Sequence, residues 1–179
     1  MLVLTKPLGT GMAMSAAKKD ACPPEVYEAA CASMIQLNRI GRDALIDVGG
    51  AHAVTDVTGF GLCGHGFEMA DGSGVTLAID LARLPIIPGI EKHGLTRLRT
   101  RASRTNAEYV RAQSRFEGDP DPVRVEFLWD PQTSGGLLIS VERERAAVLV
   151  ERLHRAGANF AAVIGEVVKK QDISLILRG

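Results

Sequence analysis

The chain has 179 residues, a length that suits one domain with a core of its own. Its 21 basic and 21 acidic residues balance, so no overall field favours nucleic acid or an anionic membrane. No apolar run approaches the roughly 20 residues of a membrane-spanning helix, and Lys6 and Pro7 interrupt the only apolar stretch that could resemble a secretory signal. We therefore predict a single domain over residues 1–179 of a cytoplasmic protein that binds neither nucleic acid nor a membrane.

The three cysteines, Cys22, Cys31 and Cys63, are odd in number and show no C-x-x-C spacing. This pattern argues against a disulfide framework and against a zinc site. A reactive Cys63 is an alternative, because thiolates are favoured near helix N-termini. A small buried hydrophobe is the favoured interpretation of that residue.

The first third of the chain predicts one strand followed by helices. Pro7 marks the end of an apolar strand, and Pro24 begins a helix, where proline loses no hydrogen bond. Apolar residues then recur at helical spacing, with Gly41 as a predicted break and Gly49-Gly50 as the end. The predicted elements are a strand over 1–6, a short helix over 12–19 and a helical region over 24–48.

Residues 53–57 form an apolar, β-branched run of the kind found in buried strands. Asp56 lies near the end of this run, and a turn with two glycines leads to a helix predicted over 59–71. Many α/β proteins hold a metal-chelated phosphate in this way, with a carboxylate for Mg²⁺ and free N–H groups at a helix start. The alternative is that Asp56 merely caps the helix.

The rest of the chain predicts strands, one clear amphipathic helix and a long irregular stretch. Residues 95–121 show no apolar period, and Arg97, Arg99, Arg101 and Arg104 alternate there with apolar or small residues. We predict a solvated loop; the alternative is that the guanidinium groups reach toward a triphosphate. The predicted elements are a half-buried strand over 75–79, a short helix ending near 94, a strand over 137–141, a helix over 142–156, and strands over 160–168 and 173–177 joined as a hairpin.

This order of elements predicts a layered α/β/α domain of the α+β class rather than a doubly wound sheet. Three segments are more specific than the pattern of elements: Leu4–Gly11, Thr55–His65 and Asp130–Leu138. Together, and in this order, they resemble the signatures of the selenophosphate synthetase (selenide, water dikinase) family. The resemblance implies a PurM-like C-terminal domain, with a mixed sheet covered by helices. It also implies an enzyme that uses ATP, selenide and water to make selenophosphate, orthophosphate and AMP.

The resemblance implies a role for particular residues. Asp56 would help to bind Mg²⁺, and the turn that follows it would line the phosphates of ATP. The loop 133–136 would present further donors to an anion, or else form a tight turn with its glycines at positive φ. In the stretch 101–106 the family pattern is altered; Asn106 carries over, and Ser103 or Arg104 is an open alternative for a second position. The residues implied in nucleotide binding are Thr58, Gly59, Gly61, Asn106, Thr133, Ser134 and Gly135.

The family also has an N-terminal domain that carries a reactive Cys or selenocysteine and further Mg²⁺ ligands. We therefore expect this chain to act as the C-terminal half of an enzyme, with no catalytic residue of its own and no activity alone. The expected partners are ATP, selenide, that N-terminal domain and a second copy in a homodimer. The alternatives are another PurM-like ATP-dependent enzyme, such as aminoimidazole ribonucleotide synthetase, or a non-catalytic nucleotide-binding or interaction module.

Overall fold

The computed structural model describes all 179 residues. A mixed sheet of seven strands forms its centre, in the order β2-β5-β1-β6-β3-β7-β4. The strands are β1 (Leu2–Leu4), β2 (Ala53–Asp56), β3 (Val75–Asp80), β4 (Ser114–Glu117), β5 (Leu137–Ser140), β6 (Ala162–Lys169) and β7 (Leu175–Arg178).

Helices cover both faces of this sheet, and β1 shows why. Side chains alternate along a strand, so Leu2 and Leu4 enter the larger core while Val3 enters a smaller one on the other face. The larger core includes residues of the helices over 10–17, 61–72 and 122–129, and the smaller one residues of the helices over 39–47 and 143–155. The predicted layered α+β fold is confirmed. The helices are α1 (Thr10–Ala17), α2 (Pro24–Ile35), α3 (Arg39–Asp47), α4 (Gly61–Gly72), α5 (Arg101–Val110), α6 (Pro122–Trp129) and α7 (Arg143–Arg155).

The amphipathic helix predicted over 142–156 is present as α7. Ala146, Leu149 and Leu153 are its buried residues, at the spacing of one helical face. Gly157 follows the helix with a φ of +95°, a conformation that glycine adopts without strain. No helix in the structure combines the length and the apolar character that crossing a bilayer requires.

The predicted hairpin of the last two strands is wrong. Strand β3 lies between them, antiparallel to β6 and parallel to β7. The buried Thr76 fastens the connection, because its hydroxyl donates to the carbonyl of Ile173 (2.6 Å) and accepts from the N–H of Gln171 (2.9 Å). The connection therefore crosses the start of β3 instead of turning back on β6.

Two strands differ from their predicted burial because of their place in the sheet. Strand β3 was predicted to be half-buried, but it is central and its residues 76–79 are all buried. Strand β2 was predicted to be buried, but it is an edge strand in which Val54 is 45% exposed and Asp56 is exposed. Strand β2 thus leaves its last carboxylate open to solvent.

The loop predicted over 95–121 is wrong for most of its length, because α5 and β4 lie within it. The inward face of α5 carries Ser103, Asn106 and Val110, two of them polar, so its sequence lacks an apolar period. The short helix predicted to end near residue 94 is a run of hydrogen-bonded turns. The break in the region 24–48 falls at 36–38, and Gly41 lies inside α3, where an added Cβ would lie 2.9 Å from the Leu137 side chain.

Candidate functional site

The three signature segments lie side by side at one end of the sheet. Asp56, the last residue of β2, is opposite Leu137 of β5. The N–H of Val57 donates to the carbonyl of Gly136 (2.8 Å), and the N–H of Thr5 donates to the carbonyl of Leu137 (3.0 Å). The fold therefore brings together residues that are 79 and 132 positions apart in the sequence.

Asp56 is exposed, and its carboxylate has no hydrogen-bond or ion-pair partner in the structure. The helix that follows has Phe60 as its N-cap residue, and no side chain caps it. The alternative in which Asp56 caps this helix is therefore wrong. What remains is a free carboxylate close to a helix N-terminus that no side chain caps.

The turn between β2 and α4 is held firmly. The hydroxyl of Thr58 lies 3.0 Å from Nε2 of His65, whose Nδ1 lies 3.2 Å from a carboxylate oxygen of Glu68. The carbonyl of Thr58 accepts from the N–H groups of Gly61 and Gln132, each at 3.0 Å. Gly61 has a φ of +70°, and an added Cβ would lie 3.0–3.1 Å from the backbone of residues 128–130. Only glycine fits there without strain.

The loop over residues 133–136 is packed against both neighbouring segments. Ser134, and not a glycine, takes the left-handed conformation, with a φ of +49°; the predicted positive φ at the glycines is wrong. Gly135 and Gly136 are instead required by close packing, since an added Cβ on Gly135 would lie 2.0 Å from the Val57 carbonyl oxygen. The buried Lys6 donates from Nζ to the carbonyl of Ser134 (2.8 Å), and burial lowers the pKa of this ammonium group.

Two buried side chains that the sequence analysis did not single out join the first and third segments. Oε1 of Gln132 accepts from the N–H groups of Gly9 (3.1 Å) and Thr10 (3.3 Å). Oδ2 of Asp130 accepts from the N–H of Gly11 (3.0 Å). The backbone N–H groups at the start of α1 are therefore hydrogen-bonded to side chains of the protein itself. The signal was present in the Asp-Pro-Gln of the third segment.

Asn106 of α5 is 5% exposed and contacts the turn between β2 and α4. Its amide nitrogen Nδ2 donates to the carbonyls of Gly59 (2.9 Å) and Trp129 (3.0 Å). The contact joins the turn after β2 to the end of α6. The geometry gives this amide group a positioning role.

Cys63 is fully buried in α4, and burial raises the pKa of its thiol far above the usual value. Its interpretation as a small buried hydrophobe is confirmed.

A cavity of about 480 Å³ lies at the opposite end of the sheet, near His52 and Ser140, and none of the predicted site residues line it. The structure has no group of three or more His, Cys, Asp or Glu side chains that could hold a metal ion.

Residues 1–178 match the family described as AIR synthase related protein, C-terminal domain. The chain belongs to this family. The selenide, water dikinase of Caldanaerobacter subterraneus subsp. tengcongensis is 39% identical over 178 residues, which are 99% of this chain and 51% of that protein. The selenide, water dikinase of Rhizobium meliloti is 42% identical over 165 residues, 92% of this chain and 47% of that protein. The chain spans about half the length of the curated relatives it matches.

Solved structures of proteins with other names share the fold at lower identity. The hydrogenase maturation protein HypE of E. coli aligns with a TM-score of 0.65 at 22% identity, covering 98% of this chain and 45% of that one. The thiamine monophosphate kinase of Aquifex aeolicus aligns with a TM-score of 0.58 at 15% identity, covering 99% of this chain and 48% of that one. The predicted PurM-like architecture and the family resemblance are confirmed.

Within this AIR synthase-related domain, Asp130 is expected to make stability depend on pH. Burial raises the pKa of its carboxyl to about 7, although donors such as Gln132 and Gly11 lower it. Its Oδ1 is buried without a hydrogen-bond partner. In the unfolded chain the pKa returns to its ordinary 3.8. The folded state therefore holds the proton of Asp130 more tightly than the unfolded chain does. The stabilisation that comes from this difference is full below pH 3.8 and is lost as the pH rises through about 7.

The Asp130→Asn variant removes this ionisation and keeps an oxygen that can accept from Gly11 and Gln132. Relative to the variant, the wild-type chain is expected to lose a few kcal/mol of unfolding free energy between pH 4 and pH 7. Urea unfolding of both proteins at several pH values measures this difference. Two stability curves that run parallel over that range would show that Asp130 keeps its ordinary pKa.

Proposed function

We propose that this chain is the C-terminal half of a selenide, water dikinase, which makes selenophosphate, AMP and orthophosphate from ATP, selenide and water. The observation that carries the proposal is the free Asp56 carboxylate, at the point where the three signature segments meet. The names of the relatives support it, because those at 35–42% identity over nearly the whole chain are selenide, water dikinases. The solved structures of the hydrogenase maturation protein and of the thiamine monophosphate kinase are only 22% and 15% identical.

Asp56 is the proposed Mg²⁺ ligand. Mg²⁺ prefers oxygen ligands and is often held by one or two carboxylates together with nucleotide phosphates and water. The exposed, unpaired carboxylate of Asp56 fits one position of such a coordination shell. Because the chain has no cluster of metal-binding side chains, the other ligands would come from the substrate, from water and from the other half of the enzyme. Bound Mg²⁺ would neutralise negative charge on the polyphosphate.

The turn after β2 would bind phosphate oxygens beside Asp56. The backbone at Gly59 is open, since nothing lies within 4 Å of the position of an added Cβ. His65 holds the Thr58 hydroxyl, Asn106 holds the Gly59 carbonyl, and Gly61 starts the uncapped helix. A turn fixed in this way can hold a phosphate without reorganising when substrate arrives.

The second loop would face the same polyphosphate with Thr133, Ser134 and Gly135. Lys6 donates a hydrogen bond to the Ser134 carbonyl and adds a buried positive charge with no carboxylate partner. A fixed cation near the loop favours an anion on its open side. In the complete cytoplasmic enzyme, residues 1–179 would form one domain beside an N-terminal domain that carries the reactive residue, and two such chains would form a homodimer.

A chimaera tests this function directly. Residues 1–178 of this chain replace the matching half of the selenide, water dikinase of Caldanaerobacter, and AMP formation is followed with ATP, Mg²⁺ and selenide. We expect selenide-dependent AMP from the chimaera and none from the 179-residue chain alone. The chimaera without selenide is the control. A chimaera that is folded and monodisperse but forms no AMP above this control would contradict the proposal.

A further inference from the structure

A second cavity, of about 510 Å³ and lined mostly by polar residues, opens between the start of α5 and the end of α6. Its wall contains the three arginines Arg99, Arg101 and Arg104 but only one acidic residue, Glu126. A cavity of this volume is within the size range of small-molecule sites. The balance of charge in the wall is positive, although the whole chain is neutral.

The positive charges of two of these arginines have little or no compensation from acidic side chains. Arg101 is exposed and has no ion-pair or hydrogen-bond partner in the structure. Nε of Arg104 lies 4.0 Å from Glu108, at the limit of an ion pair, and its side chain is 75% exposed. They lie three positions apart on α5, so they are neighbours on the same helical face. Like charges at this spacing repel, and an anion between them would relieve the repulsion.

Arg99 is oriented by Glu126. Its Nε lies 3.0 Å from Oε2 of Glu126, a buried atom without a geometrically good hydrogen bond. The Glu126 side chain is 16% exposed, and burial raises the pKa of its carboxyl while Arg99 opposes that effect. This contact uses the Nε edge of the guanidinium group and leaves its terminal nitrogens for another acceptor.

The cavity is separate from the turn that follows Asp56. Asn106 faces inward from α5 and holds Gly59, whereas Arg101 and Arg104 are exposed. Trp129 contacts both regions. Its carbonyl accepts a hydrogen bond from Asn106, and the residue also lines the cavity. It is the only tryptophan of the chain.

We propose that this cavity binds the phosphoryl group of a small molecule, with Arg99, Arg101 and Arg104 as its ligands. Guanidinium groups donate paired hydrogen bonds to phosphoryl oxygens, and three of them can surround one such group. Ser103 and Trp129 also line the cavity. The proposal does not depend on Asp56 or on turnover, so it can fail or succeed independently of the dikinase function.

Trp129 fluorescence measures binding to the full 179-residue chain. Inorganic phosphate, pyrophosphate and AMP are titrated separately at constant ionic strength, with NaCl as the balancing salt. We expect a saturable change in fluorescence, and we expect the R101A/R104A variant to raise the Kd by about 10-fold or more, because hydrogen bonds to charged groups are lost. Tighter binding of AMP than of phosphate would assign the site to a nucleotide. Equal affinities would assign it to the phosphoryl group alone.

The matched control is R39A/R42A, which removes two positive charges from exposed arginines that pair with Asp43 on α3. We expect this variant to bind each probe as the wild-type chain does, and thermal unfolding checks that both variants fold. The proposal is overturned if no probe gives a saturable change, or if R101A/R104A and R39A/R42A have the same Kd. A response that NaCl alone reproduces would also overturn it.

Discussion

The Gly135→Ala variant is expected to melt about 6–12 °C below the wild-type chain. Its added Cβ would lie 2.0 Å from the carbonyl oxygen of Val57 and 2.8 Å from the Cβ of Gln132. Neither neighbour can move easily, because one is backbone at the end of β2 and the other belongs to a buried side chain. Overpacking of this kind costs about 3 kcal/mol, and for a chain of this length each kcal/mol lowers the Tm by about 2–4 °C.

Gly59→Ala is the matched control in the adjacent segment. Gly59 is exposed, has no positive φ, and would place its Cβ where nothing lies within 4 Å. The unfolding free energy of the Gly59→Ala variant is expected to stay within about 0.5 kcal/mol of that of the wild-type chain. Circular dichroism melting of the two variants measures the contrast. Equal melting temperatures would show that the third segment does not approach β2 as closely as the structure has it.

This contrast between two glycines shows what the sequence could predict. The order strand, carboxylate, glycine turn and helix is local information, and the structure has β2, Asp56, the turn and α4 in that order. Helix α7 was also predictable, because its period and its terminal Gly157 lie within one short stretch. Which glycine touches another segment was not predictable, since the contact of Gly135 with Val57 joins residues far apart in the chain.

Long-range pairing explains the errors in the sheet. The strands β6 and β7 are separated by only a few residues, so a hairpin is the natural local prediction. The structure instead inserts β3 between them, and the polar contacts of Thr76 stabilise that arrangement. The exposure of β2 follows from its position at the sheet edge, and an apolar sequence does not report that position.

Buried polar residues explain why α5 was missed, together with the roles of Asp130 and Gln132 at the candidate site. Asn106 and Ser103 face inward from α5, where a search for apolar periodicity sees no helix. Asp130 and Gln132 use their side chains on backbone N–H groups of the first segment, a role that depends on the folded arrangement. The sequence indicated the three segments that the fold brings together at the candidate site. It did not indicate which of their residues hold the backbone and which remain free for a ligand.

Asp56→Asn is expected to reduce turnover by about 100-fold in the active chimaera described above. The substitution keeps the size of the side chain and removes the negative charge that a Mg²⁺ ligand supplies. A loss of about 3 kcal/mol of transition-state stabilisation corresponds to this factor. Because the carboxylate has no partner in the structure, the melting temperature is expected to stay unchanged. Steady-state rates at several Mg²⁺ concentrations should also show a higher Mg²⁺ requirement.

Asp80→Asn is the control, because Asp80 is likewise the last residue of a strand, β3. Its carboxylate has a local role: it accepts from the N–H of Ala82 (3.1 Å) and pairs with Arg83 (3.0 Å). Asparagine is nearly as good as aspartate in a capping position, so this variant should keep the turnover and Mg²⁺ dependence of the parent chimaera. If Asp56→Asn behaves in the same way as Asp80→Asn, then Asp56 is a solvated surface carboxylate and the proposed Mg²⁺ ligand must be another residue. A selective loss at Asp56, with both variants folded, separates a metal ligand from an ordinary strand-terminal aspartate.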